Sequence, residues 1–185
     1  MIKKPAVFLD RDGVINEECG FIRSIDELNI FSYTKKCIDM FHELGYYVIV
    51  ITNQSGVARG YFTEKELIVL NRFIQNKTGI DRIYYCPYYE NGVISKYSIK
   101  SDLRKPGTGM IKMACDDFPI IMEKSVLVGD RALDIKTGHN AGITSILLES
   151  GYGSVNLEEP VEPDYILNDL RDVVRLLQKK QEGRE

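Results

Sequence analysis

"VFLDRDGVIN" (residues 7–16) opens as a buried strand and closes on charge. Val7, Phe8 and Leu9 have the unbroken apolar character of a strand covered on both faces, and Asp10, Arg11 and Asp12 follow at once. Two carboxylates two residues apart at the lip of a hydrophobic core need a physical reason, and the rest of the chain supplies one.

Outward from this stretch, short apolar runs alternate with amphipathic ones. "YVIVIT" (47–52), "RIYYC" (82–86), "SVLVGD" (125–130), "TSILL" (144–148) and residues 165–167 read as further strands. Helices are predicted over 34–44, 64–76, 107–117, 132–140 and 169–180. In the first of these, Cys37, Ile38, Phe41 and Leu44 share a face and Gly45 supplies a stop; the second opens on Thr63 and Glu66 at capping-box spacing. Val/Ile/Leu strands separated by helices predict an α/β fold, a Rossmann-like three-layer α/β/α sandwich around a mostly parallel sheet. No large cap domain can be placed between the elements. A length of 185 residues suits one domain over 1–185.

Composition narrows the function classes. The chain is 44% hydrophobic and 28% charged with a net charge of −3, ordinary for a soluble globular protein and without a broad basic face for nucleic acid. The apolar run in "MIKKPAVFLD" stops too early for a signal peptide or a membrane span. Cys19, Cys37, Cys86 and Cys115 are scattered with no CxxC pair, which predicts reduced thiols and a cytoplasmic protein. A monomer with a small-molecule substrate is expected.

Ligands of parallel sheets bind beyond the carboxyl ends of the strands. Three strand ends carry polar chemistry: Asp10-Arg11-Asp12-Gly13, Thr52-Asn53-Gln54-Ser55-Gly56, and Gly129-Asp130-Arg131 with Asp134 one helical turn on. Each alone could cap a helix or a turn. Together on central parallel strands they converge on one edge, where an acidic cluster repels itself unless a cation shares it. Hard oxygen ligands beside a phosphate are what Mg²⁺ prefers. One carboxylate could then attack phosphorus, and a second two residues on could move protons. Thr52, Asn53 and a cation would hold the phosphoryl group. Lys105 is that cation, because Pro106 and Gly107 in "LRKPGTG" pull Arg104-Lys105 into a loop before a helix.

"DRDG", "TN", "RKP" and "GDRALD" occur in the order of the four motifs of the haloacid dehalogenase superfamily of aspartyl phosphotransferases, which the chain resembles. The longer wording "FLDRDGVIN", "VITNQSGVARGYFTEKE", "YYCPYY", "RKPGTGM" and "VGDRALDI" is similar to the D-glycero-D-manno-heptose-1,7-bisphosphate 7-phosphatases and the related histidinol phosphatases. The similarity covers essentially the whole chain and weakens over 90–103 and after about 150. The resemblance implies that Asp10 is the phosphorylated nucleophile and Asp12 the general acid/base. It implies Mg²⁺ on the carboxylates of Asp10 and Asp130 and the backbone carbonyl of Asp12. Thr52, Asn53 and Lys105 would hold phosphoryl oxygens, with Asp134 orienting the lysine or supporting the metal shell. Substrate contacts are implied for Glu18, Cys19, Gly20 and Phe21, for Thr52, Asn53, Gln54 and Ser55, and for Arg104, Lys105 and Arg131. Arg104 could fork onto a second phosphate, which suits a heptose bisphosphate of nucleotide-heptose synthesis better than histidinol phosphate.

Receiver modules of signalling proteins also combine an Asp, Mg²⁺, a Thr and a Lys. They draw the acidic pair and the phosphorylated Asp from different strands, whereas "DRDG" carries both carboxylates on one. Polynucleotide 3′-phosphatases are disfavoured by the acidic balance, and a non-catalytic scaffold by the full set of motif residues.

The chain departs from its relatives before "RKP". Most carry a Cys-x-His pair and then a Cys-x-Cys pair for structural zinc; here Tyr88 follows Cys86 at the His position, and Ser101 and Leu103 stand where the paired cysteines would be. One thiolate cannot build a tetrahedral site, so no zinc is expected, and Cys86 reads as a small core residue. Loop 87–103, the substrate reader, would instead be packed by Tyr84, Tyr85, Tyr88, Tyr89 and Tyr97. His42 and His139 lack ligand spacing and read as structural or surface residues.

Overall fold

In the computed structural model, which describes residues 2–153 and 161–183, the apolar runs become six parallel strands. They are β1 (Ala6–Leu9), β2 (Tyr47–Asn53), β3 (Arg82–Cys86), β4 (Val126–Gly129), β5 (Thr144–Leu148) and β6 (Tyr165–Leu167), in the spatial order β3-β2-β1-β4-β5-β6. Five helices connect them: α1 (Thr34–Glu43), α2 (Glu64–Thr78), α3 (Gly109–Asp117), α4 (Ala132–Ala141) and α5 (Leu170–Gln181). Every pairing is parallel.

The period of two along each strand divides the core into two layers. Val7, Leu9, Val48, Val50, Val128 and Ile146 face α1, α2 and α5, whose Phe41, Ile74 and Leu177 complete that side. Phe8, Ile49, Ile51 and Leu127 face the other way, onto Met110, Ile111 and Ala114 of α3. With α4 packed on β4 and β5, the result is three layers. The longest connections inside the sheet's motifs, 10–33 and 87–108, contain only short 3₁₀ turns at Ile25–Glu27 and Ser95–Tyr97. No helix among the described residues is long and apolar enough to cross a membrane.

Local chemistry sets the helix ends. Thr63 Oγ1 accepts from the Glu66 N–H while the Glu66 carboxylate accepts from the Thr63 N–H, so the capping box forms, and Gly79 closes α2 in the left-handed conformation. The helix predicted from 107 begins at Gly109. The reason is a pair of turn hydrogen bonds, Gly107 N–H to Arg104 O at 2.8 Å and Gly109 N–H to Asp102 O at 3.0 Å, which hold the backbone outside the helix until Gly109.

Strand order places the site. The chain moves from β1 outward to β3, then returns to β4 on the other side of β1, so the carboxyl ends of β1 and β4 flank the switch point where such sheets bind ligands. The Asp10 N–H donates to Val128 O at 2.9 Å and carries the ladder one residue past β1. Asp10 is thereby held beside the end of β4.

Loop 87–103 is ordered by tyrosines and backbone. Tyr97 Oη donates to Glu64 Oε2 at 2.7 Å and Tyr85 Oη to Glu64 Oε1 at 3.2 Å. Ala58 O accepts from both Val93 N–H (2.8 Å) and Ile94 N–H (3.0 Å). Cys86 is buried in the second core layer, Leu103 packs against it, and Ser101 Oγ accepts from the Leu103 N–H. His42 Nε2 lies 3.0 Å from Asp81 Oδ2 and His139 Nε2 lies 3.3 Å from Ser145 Oγ, both away from the strand ends discussed below.

Candidate active site

Four charged side chains meet at the switch point. Lys105 Nζ lies 2.9 Å from Asp10 Oδ1 and 2.5 Å from Asp134 Oδ1. Asp10, Asp130 and Asp134 each offer an oxygen within 4.8 Å of the others. Lys105, Asp130 and Asp134 are almost wholly inaccessible, and Asp10 is 9% exposed. Burial alone would lower the Lys105 pKa, but the charges of Asp10 and Asp134 raise it well above the ordinary lysine value, so the ammonium persists. Burial pushes Asp10 up to about 6 against the pull of Lys105. Burial also pushes Asp130 up to about 8, with the charges of Asp10 and Asp134 adding to it.

Glycines make this density feasible. Gly13 has φ of +80°, which side-chain-bearing residues rarely adopt, and a Cβ there would overlap Asp130 Oδ2. A Cβ at Gly151 would strike the same carboxylate.

One lone oxygen points to what the cluster holds. Asp130 Oδ2 accepts from the Tyr152 N–H at 2.9 Å, yet Asp130 Oδ1 is buried without a protein partner. A buried carboxylate oxygen left unpaired is costly. An all-oxygen, acidic donor set with one such atom fits a hard divalent cation of the Mg²⁺ type.

Asp12 sits in a different environment. Arg11 forks onto it, Nε to Oδ1 at 3.0 Å and Nη2 to Oδ2 at 2.9 Å, while Asn16 Nδ2 donates to Oδ1 (2.9 Å) and Gln54 Nε2 to Oδ2 (3.1 Å). The Arg11 side chain is itself buried, with Nη1 donating to Asn71 Oδ1 at 3.3 Å. Burial works to raise the Asp12 pKa, but the Arg11 charge and these hydrogen bonds outweigh it and lower the value. Asp10 and Asp12 therefore lie two residues apart with proton affinities displaced in opposite directions.

The second and third motifs interlock. Asn53 Oδ1 accepts from the Lys105 N–H and Asn53 Nδ2 donates to Lys105 O, so the Asn53 amide is spent on positioning the lysine backbone. The Gln54 amide bridges Asp12 and Thr52 Oγ1, the latter at 3.0 Å.

A cavity of about 290 Å³ opens above these groups. Asp10, Asp12, Thr52, Asn53, Lys105 and Asp134 form its floor, and Glu18, Gly20, Phe21, Gln54, Ser55, Arg104 and Arg131 its walls. Of the anticipated contact residues, Cys19 is exposed and does not line it, and Asp130 lies beneath the floor. Arg131 Nη2 is paired with Glu18 Oε2 at 2.8 Å. Three lining residues escaped the sequence reading: Arg59, Leu133 and Tyr152. Arg59 could have been noticed as a cation between a strand end and a capping box. The Tyr152 contribution to Asp130 comes through a backbone N–H and has no sequence signature.

Comparison with known proteins agrees with this geometry. Residues 102–173 match the HAD-hydrolase-like family model. The chain is 38% identical to the D-glycero-alpha-D-manno-heptose-1,7-bisphosphate 7-phosphatase of Photorhabdus laumondii, over 95% of this chain and 98% of that one. It belongs to the heptose-1,7-bisphosphate 7-phosphatase family of HAD-like hydrolases. Another member of that family, from Thermosynechococcus vestitus, is 35% identical over 92% of this chain and 94% of its own length. The fold of the family is shared in three dimensions as well. The D,D-heptose 1,7-bisphosphate phosphatase from B. bronchiseptica, solved with magnesium and phosphate, superposes with a TM-score of 0.81 at 26% identity, covering 95% of this chain and 99% of that one.

Proposed function

We propose that this HAD-superfamily phosphatase is Mg²⁺-dependent and removes the 7-phosphate of D-glycero-D-manno-heptose 1,7-bisphosphate through an aspartyl-phosphate, in nucleotide-heptose synthesis. The observation that carries the reading is the pairing of Asp10 with Lys105 beside the unsatisfied Asp130 carboxylate, at the base of an open cavity. The heptose-bisphosphate phosphatases to which the chain is 35–38% identical support the substrate.

Asp10 and Asp130, with the backbone carbonyl of Asp12, would hold the Mg²⁺, whose charge would keep both carboxylates ionised and draw negative charge from the phosphoryl oxygens. The Asp10 carboxylate attacks phosphorus, and the bond from phosphorus to the sugar oxygen breaks as the new one forms. Lys105 and Thr52 donate to the phosphoryl oxygens; the Asp134 and Asn53 contacts keep Lys105 charged and fixed while they do so. Asp12 gives its proton to the departing sugar oxygen. In the second step the Asp12 carboxylate takes a proton from water, the water oxygen binds phosphorus, and the bond to Asp10 breaks to release phosphate.

The hydrogen bonds to Asp12 favour its carboxylate, the form the second step uses. For the first step a proton must be added, and an arriving phosphate dianion beside Asp12 opposes its charge and raises its proton affinity.

Steady-state phosphate release from the heptose 1,7-bisphosphate and from histidinol phosphate, each with Mg²⁺ and with EDTA, tests the proposal. Faster turnover of histidinol phosphate would overturn the substrate, and equal rates in EDTA would overturn the metal.

A further inference from the structure

Two cations on the cavity wall have no acid to neutralise them. Arg59 and Arg104 both line the cavity, and neither forms an ion pair with any described residue. Each keeps a nitrogen that is buried and unpartnered, Nε of Arg59 and Nη1 of Arg104. By contrast Arg131, on the same wall, is paired with Glu18. Bringing two guanidinium charges together without a carboxylate costs free energy through repulsion and desolvation, so the arrangement needs a compensating group.

That group is Tyr89. The Arg59 guanidinium lies over its ring at 4.2 Å from the centroid and the Arg104 guanidinium at 5.1 Å. The negative face of an aromatic ring offsets part of a cation's charge and fixes the plane of a guanidinium without consuming its N–H donors. Tyr89 comes from loop 87–103, the segment in which this chain lacks the zinc ligands of its relatives. Its register against Arg59 is set next door: Ala58 O accepts from the Val93 and Ile94 N–H groups, and Gly92 packs so closely on Ala58 that a Cβ there would overlap it. At the far side the loop is tied to α2 through Tyr97 and Glu64.

We propose that Tyr89 is a positioning residue that presents Arg59 and Arg104 as a paired site for the second phosphate of a sugar bisphosphate, so that Arg59 is a specificity-determining residue of this enzyme. The assignment rests on the bisphosphate reading above and adds to it a residue and a loop contact particular to this chain. A phosphate dianion between the two guanidiniums would accept their free N–H groups and cancel the charge that Tyr89 only offsets.

The test compares kcat and KM for the heptose 1,7-bisphosphate and the heptose 7-phosphate in wild type, Tyr89→Ala, Tyr89→Phe and Arg59→Gln, each checked for a native circular-dichroism spectrum. In Tyr89→Ala the KM for the bisphosphate is expected to rise roughly tenfold, the size of one lost cation–π contact, with a smaller change in kcat. The monophosphate should be affected much less, so the preference for the bisphosphate collapses. Tyr89→Phe keeps the ring and should keep the preference, whereas Arg59→Gln should lose it even if the alanine variant folds poorly. A wild type that prefers the bisphosphate together with Tyr89→Ala and Arg59→Gln variants that retain this preference would overturn the assignment. A wild type with no such preference would overturn the substrate reading and the assignment together.

Discussion

Asn53 brackets the backbone of Lys105: its Oδ1 accepts from the Lys105 N–H at 3.0 Å and its Nδ2 donates to the Lys105 carbonyl at 3.3 Å. The end of β2 and the loop before α3 are thus zipped together by one side chain, 52 residues apart in sequence. Asn53→Ala leaves both backbone groups without this partner and frees the lysine to shift. We expect a loss of about 1–3 kcal/mol in stability, read by urea denaturation, and a fall in kcat larger than any change in global structure. A variant with wild-type kcat would show that Lys105 is held by other contacts.

Asp10→Asn should leave the fold intact and abolish turnover, because an amide cannot form the acyl-phosphate. Circular dichroism and a phosphate-release assay check both halves. Measurable turnover in a homogeneous sample would remove Asp10 from the nucleophile's role.

Asp12→Asn should slow both formation and hydrolysis of the aspartyl-phosphate by roughly 10²–10⁴, the usual contribution of a positioned acid/base. The substitution also takes the charge from beneath the buried Arg11 fork, so stability should fall by about 3–5 kcal/mol. Rapid-quench trapping of the intermediate, alongside thermal unfolding, separates the chemical effect from the structural one. Unchanged rates for both steps would place the proton donor elsewhere.

Mg²⁺ should raise the melting temperature in proportion to the logarithm of its concentration above Kd, since the acidic cluster exists only in the folded chain. Gly151→Ala pushes a Cβ into the Asp130 carboxylate. Its half-saturating Mg²⁺ concentration should therefore rise by about tenfold or more, the equivalent of about 1.4 kcal/mol. Calorimetric titration with Mg²⁺ measures both proteins directly, and equal affinities would mean that Asp130 does not bind the ion.

Much of this molecule is readable from residue order. The apolar runs 6–9, 47–52 and 144–148 could only be strands buried on both faces, and Thr63 with Glu66 could only open a helix at that spacing. Strand-end carboxylates at 10, 12 and 130 follow from the same pattern, because the residue after a parallel strand emerges on the ligand-binding edge. Boundaries were less legible: α3 starts two residues later than its pattern suggests, since Gly107 and Gly109 are first engaged by Arg104 and Asp102.

Local pattern determined which residues emerge at the sheet's edge, because strand period and helix caps are properties of a few neighbouring residues. Tertiary structure alone decided what each then meets. Asn53 turned from the cavity to the Lys105 backbone, Arg11 turned inward beneath Asp12, Tyr152 contributed through its main chain, and Tyr89 reached Arg59 and Arg104 from a loop with no shared motif. These contacts join segments tens of residues apart. They depend on the order and twist of the whole sheet, which no short stretch of the chain encodes.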